Sequence, residues 1–180
     1  VRVLRQRCVR GEIFDSLVAP ERLIPQEAIN IHGVTNEMVR DAPRFAKAGR
    51  DFAAFAEGSV LVAHHAEFDM AFLKRLKNGQ GPLFDHPVLC TARLSSRLYS
   101  HFYDHTLDAP VAHHGVTTDD HLRHTPPGDA TATAEFCVNI LPVLPALDVT
   151  SLLNAIEFHN SSHSPTQAQR QRPVLYSLRI

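Results

Sequence analysis

"LVAHHAEFDMAFLKRL", Leu61 to Leu76, sets a short apolar run, two adjacent histidines and an aspartate against a segment with helical spacing. The run "SVLVA" after Gly58 has the pattern of a strand buried on both faces of a sheet. Phe68, Phe72, Leu73 and Leu76 then recur on one helical face, which predicts a helix over 68–77. The junction between strand and helix falls at His64 to Asp69, where open α/β sheets place ligands, just past the carboxyl end of a strand. A lone aspartate at such a place is more often a helix cap than a metal ligand.

Working outward, "HPVLCTARLSSRLYS" repeats the order, with a strand near 87–90 and a helix near 91–100. Upstream, "VRVLRQRCV" and "EIFDSLV" predict strands near 1–9 and 12–18, closed into a hairpin by Arg10 and Gly11. "APERLIPQEA" reads as a loop for its two prolines, and Thr35 as the cap of a short helix that Pro43 ends. Phe45, Ala48, Phe52 and Phe55 predict an amphipathic helix over 44–57, stopped by Gly58. Further on come a short helix near 109–114, a histidine-rich loop, an alanine-rich helix from Asp129 that ends near Pro142, and a last helix in "TSLLNAIEFH". A hairpin followed by strands alternating with helices indicates an α/β domain with a mixed sheet over 1–148. Residues 149–159 read as a C-terminal helix and 160–180 as a polar, mobile tail.

Composition narrows the function classes. With 180 residues, 44% hydrophobic, the chain can bury a real core. Its formal net charge of -1 excludes a global basic field, although Arg2, Arg5, Arg7 and Arg10 make the start locally basic, as Arg170, Arg172 and Arg179 do the end. Cys8, Cys90 and Cys137 form no close-spaced pair, so a reducing cytoplasmic setting is expected in place of a disulfide framework. No apolar run approaches the ~20 residues that span a bilayer, so no membrane partner is expected.

A second chemical feature lies in "RHTPPGDATATAEF", where His124 precedes Asp129 by four intervening residues at a helix start. A loop histidine above a helix-held carboxylate, added to Asp69, makes a hard-metal site with a proton acceptor plausible. Here the sequence resembles the DEDD 3'-5' exonucleases of the histidine subtype, the family of the DNA polymerase III epsilon subunit. "LVAHHAEFDMAFL" is similar to that family's second motif and "RHTPPGDATATAE" to its third, while "IPQEAINIHGVTNEMVRDAP" and "HTLDAP" match two further segments in the same order. The resemblance implies a ribonuclease H-like mixed sheet flanked by helices, and two-metal phosphodiester hydrolysis at a nucleic acid 3' end, single-stranded DNA foremost, with a polymerase subunit as a partner. It makes Asp69 and Asp129 ligands of Mg2+ or Mn2+ and His124 the general base. His32 and Gly33 would line the terminal-nucleotide pocket, with His64 and His65 on the substrate side and Phe68 packed beneath.

Two departures stand out. The family opens on a strand carrying aspartate-x-glutamate, and this chain has no such pair; Glu12 and Asp15, three apart on a strand, would face opposite ways. Val1 to Val9 resembles the family's second strand, so the sheet is expected to lack its first, central strand and the chain to be a fragment with little activity. His65 stands where the family usually has asparagine. A noncatalytic module that binds nucleic acid ends or a polymerase is the alternative function. Clustered His113, His114, His121 and His124 invite zinc, but no cysteine accompanies them and a solvated loop is the expected reading. By residue type alone His64, His101, His105, His159 and His163 are ordinary surface or packing histidines.

Overall fold

The computed structural model describes residues 2–5, 8–78, 81–117, 125–147, 149, 151–160 and 175–177. Among these residues the main sheet has five strands in the order β2 (Cys8–Ile13), β1 (Arg2–Arg5), β7 (Leu175–Ser177), β3 (Val60–Ala63), β6 (Val88–Cys90), and β4 (Lys77–Asn78) pairs with β5 (Gly81–Pro82) in a small second sheet. β3 and β6 run parallel, β1 and β2 antiparallel, so the sheet is mixed. Helix α2 (Phe45–Phe55), α3 (Ala66–Leu73), α4 (Thr91–Leu98), α5 (Asp108–His113), α6 (Pro126–Ile140) and α7 (Leu152–Asn160) surround it.

β3 shows why its sequence is an unbroken apolar run: all four residues are buried, and alternate ones face opposite cores. Val60 and Val62 join Leu89, Leu94, Val111, Phe136, Ile140 and Phe158 on one side. Leu61 joins Phe52, Met70, Leu73, Leu76 and Phe84 on the other. Each such side chain contributes about 1.5–3 kcal/mol by leaving water, so these two clusters are the main source of the fold's stability. The C-terminal helix α7 belongs to the first core through Ala155 and Phe158, and Arg97 of α4 stacks 4.5 Å above the Phe158 ring.

Several boundaries differ from the sequence expectation. Arg10 and Gly11 lie inside β2 and do not form the hairpin turn; the pairing jumps from Arg2↔Ile13 to Val3↔Arg10, so Gly11 and Glu12 absorb a register slip. Glycine serves a bulge as readily as a turn, and sequence does not separate the two. The segment read as a loop holds helix α1 (Gln26–His32), with Pro25 at its N-cap and Gly33 closing it at φ 74°. Proline at a helix entrance is compatible with the helix, because the first N–H groups have no intrahelical partner there. Thr35 caps only a turn, its hydroxyl accepting from Met38 N at 3.3 Å. In α3 the buried residues are Ala66, Asp69, Met70 and Leu73, so the face expected from Phe68 and Phe72 is rotated. α6 begins three residues before Asp129, with both prolines in its first turn.

The largest departure concerns the tail and the central strand. Leu175–Ser177, expected to be mobile, forms β7 between β1 and β3. Within the described sheet a strand from the C-terminal segment thus lies between the hairpin and β3.

Candidate active site

β3 ends at Ala63 and the chain passes through His64 and His65 into α3. His64 is buried, its Nε2 2.7 Å from the His105 carbonyl and its Nδ1 2.9 Å from the Thr91 hydroxyl. A carbonyl only accepts, so Nε2 carries the proton in that bond. Thr91 Oγ1 also reaches the Ala63 carbonyl at 3.3 Å, and the His105 ring meets Ser95 Oγ at 3.0 Å. His64 thus ties the end of β3 to the start of α4 and to the loop before α5. Neither its partner nor its burial was legible from sequence, since His105 lies 41 residues away.

His65 has φ 62°, the one positive φ at a non-glycine position among the described residues, and it is the N-cap of α3. Its left-handed backbone turns the chain sharply so that Asp69, in the first turn of α3, is carried inward to 2% exposure. The same turn leaves Phe68 62% exposed against Phe72, which corrects its expected place beneath the site. Asp129 occupies the first turn of α6 and is also 2% exposed. Thr125 caps that helix, its hydroxyl accepting from Gly128 N at 3.3 Å. Both carboxylates therefore sit at helix N-termini, where the dipole favours negative charge, and both helices pack on β3. Neither carboxylate is without an interaction partner.

His32 closes α1 with Nδ1 accepting from Val34 N at 3.0 Å, and Gly33 follows it exposed. His124 lies outside the described residues. Against the main core, Tyr99 meets His114 Nε2 at 2.6 Å. Burial pushes the His114 imidazole below its usual range, His113 adding to the shift, and burial raises the Tyr99 phenol.

Asp69 and Asp129 are hard oxygen donors of the type that suits Mg2+ or Mn2+. Among the described residues, however, no three His, Cys, Asp or Glu side chains group so as to hold an ion. Each carboxylate supplies at most part of one ion's coordination shell, and two carboxylates do not by themselves provide for a pair of ions. β7, beside β3, brings Leu175, Tyr176 and Ser177 and no acid.

The model of the exonuclease family (RNase_T) matches residues 1–137. The chain belongs to this exonuclease family. Consistent with it, the exonuclease domain is 46% identical over 151 residues to a DNA polymerase III subunit epsilon-like protein of Rhodobacter capsulatus, covering 84% of this chain and 21% of that protein. It is 31% identical over 134 residues to the DNA polymerase III subunit epsilon of Aquifex aeolicus, 74% of this chain and 65% of the relative. A PolC-type DNA polymerase III of Caldanaerobacter subterraneus is 33% identical over 141 residues, 78% of this chain and 10% of that protein. The exonuclease domain spans about a fifth of the first of these relatives and a tenth of the PolC-type protein. Among solved structures, exonuclease X in complex with 5' overhanging duplex DNA superposes with TM-score 0.60 at 24% identity, over 78% of each chain, a likeness of fold. The mixed sheet with its flanking helices is the ribonuclease H-like arrangement expected from the sequence.

Proposed function

We propose that this chain is a nuclease domain that hydrolyses phosphodiester bonds at nucleic acid 3' ends, single-stranded DNA foremost, in company with a replicative polymerase. The observation that carries the reading is the pair of buried carboxylates, Asp69 and Asp129, each in the first turn of a helix packed on β3, in a member of the exonuclease family. The polymerase III names of the relatives support the polymerase association.

In this reading Asp69 and Asp129 would each lend a carboxylate to Mg2+ or Mn2+, and His124 would accept a proton from the attacking water, work suited to a group with an unperturbed pKa of about 6.5. His32, Gly33 and His65 would face the terminal nucleotide, while His64 shapes the pocket from behind through Thr91 and His105. Residues 1–180 contain no aspartate-x-glutamate pair. With two carboxylates, two adjacent divalent ions would repel each other with little compensation, so these residues by themselves should hydrolyse slowly.

Two measurements test this. With 3'-labelled single-stranded DNA and Mn2+, little mononucleotide release is expected; robust release abolished by Asp129→Ala would show that the two carboxylates suffice. Thermal melting separates the second reading, a noncatalytic end-binding module, which the absent pair favours. A nuclease domain gains melting temperature with Mn2+ by mass action and loses that gain in Asp69→Asn; a module indifferent to Mn2+ that still binds the DNA sinks the nuclease reading.

A further inference from the structure

We propose that Asn36 is a positioning residue of the terminal-nucleotide pocket, clipping the backbone of Ile24 so that the lobe between them holds His32 and Gly33 in a fixed place. The carboxamide of Asn36 makes two bonds to that one residue. Its Oδ1 accepts from Ile24 N at 2.7 Å, and its Nδ2 donates to the Ile24 carbonyl at 3.2 Å. A side-chain amide carries the donor and acceptor of a peptide group, so this clip makes the same double exchange as two hydrogen-bonded residues facing each other across antiparallel strands. It does so between positions twelve apart in the chain.

The core does not hold this lobe. At its neck the backbone closes the segment, Ala19 N donating to the Pro43 carbonyl at 2.9 Å beside a bridge between Ala19 and Arg44. Beyond the neck Pro20, Glu21, Arg22 and Leu23 are exposed. α1 buries none of its residues, and none of them joins a described core cluster. Leu23 and Ile31 are 78% and 74% exposed, so apolar burial does not anchor either. A helix of 7 residues is also well below the ~12–15 that form one unaided. The longest-range hydrogen bonds described for the lobe are the two made by Asn36, and Val39, in the turn that follows it, is buried. Asn36 therefore joins an exposed lobe to an anchored turn.

The clip bears on the site through α1. Ile24 immediately precedes the N-cap Pro25, and α1 ends at His32, with Gly33 closing it. Fixing residues 24 and 36 thus fixes both ends of the segment that carries His32. The ring of His32 is tied in turn, its Nδ1 accepting from Val34 N at 3.0 Å. In the neutral imidazole that leaves the ring proton on Nε2, a donor suited to a phosphate or sugar oxygen. The clip rests on hydrogen bonds alone; its role at the pocket rests on the nuclease reading, in which His32 and Gly33 face the terminal nucleotide.

The full chain carries the test. Asn36→Leu keeps a side chain of similar size and removes both bonds. Amide hydrogen exchange read by mass spectrometry should rise about tenfold in peptides from 24–33 of this variant, with peptides from β3 and α6 unchanged. Unchanged exchange over 24–33, or an equal rise in β3 and α6, would overturn the clip. Calorimetric titration with thymidine 5'-monophosphate in the presence of Mn2+ then reads the pocket. Asn36→Leu should bind the nucleotide about tenfold more weakly while keeping the gain in melting temperature that Mn2+ gives, which a general loss of structure would not spare. Equal nucleotide affinity in the two proteins, with exchange over 24–33 raised, would overturn the positioning role. Should Asn36→Leu lack native circular dichroism, Asn36→Asp replaces it: the acceptor for Ile24 N remains, a carboxylate oxygen faces the Ile24 carbonyl, and both effects should keep their direction. A wild-type chain that binds no thymidine 5'-monophosphate with Mn2+ would sink the nuclease reading and the pocket role with it, whereas the exchange data judge the clip independently.

Discussion

His65 bears the sharpest backbone demand in the described chain, a left-handed conformation at the entrance to α3. Asparagine tolerates that region well because its short amide bonds locally, whereas a β-branched side chain meets its own carbonyl. His65→Asn should therefore keep or raise the urea midpoint, and His65→Val should lower stability by about 1–2 kcal/mol, read in the same unfolding curves. Cys137 makes a second point at this scale. It is fully buried in α6, and burial pushes its thiol up to about 12. The thiolate is the reactive form, so iodoacetamide should leave Cys137 unmodified in the native protein and label it once urea unfolds the chain; native labelling would show that the α6 core opens readily.

Helix α6 shows how an element can be read correctly in kind and wrongly in extent. Its alanine-rich pattern marked a helix from Asp129, and the helix begins at Pro126. Prolines at the first two positions bring no N–H, so two of the donors that a helix start normally leaves unpaired do not exist, and Thr125 takes that of Gly128. Thr125→Ala should cost about 1 kcal/mol, seen as a lower urea midpoint with unchanged slope. The small residues serve packing. Ala130, Ala132 and Ala134 are buried, which lets α6 lie close across the sheet and carry Asp129 to it. α3 shows the converse error. Phe68 and Phe72 looked like its core face, but the turn at His65 rotates the helix so that Asp69 and Met70 face inward.

At the scale of the whole molecule, His114, packed against Tyr99 and the core, links stability to pH. His114 titrates below its usual range because burial and His113 disfavour its charge. The unfolded chain then binds more protons than the folded one below the ordinary histidine value of about 6.5, so this contribution is complete above that value and declines as pH falls toward the depressed folded one. Melting temperature should drop on acidification through this window, and His114→Gln should flatten that part of the profile; an unchanged slope would exclude His114 as the source. The His114 ring packs 5.3 Å from Phe136, a fully buried member of the main core. Phe136→Ala should cost about 3–5 kcal/mol by calorimetry or urea unfolding, a large share of the ~5–15 kcal/mol typical of a domain.

What local sequence could settle, it did, because hydrophobic period and cap chemistry act over a few residues. The buried run of β3, the helices over 45–55, 91–98 and 108–113, and the order in which Asp69 and Asp129 arrive were all legible this way. The rest depends on contacts between distant positions. His64 meets a carbonyl 41 residues away, the facing of α3 follows from one backbone angle, and the central place in the sheet goes to Leu175–Ser177. No local pattern announces such partners: a stretch as short as Leu-Tyr-Ser becomes a strand only where two neighbours offer unpaired backbone groups on both of its edges.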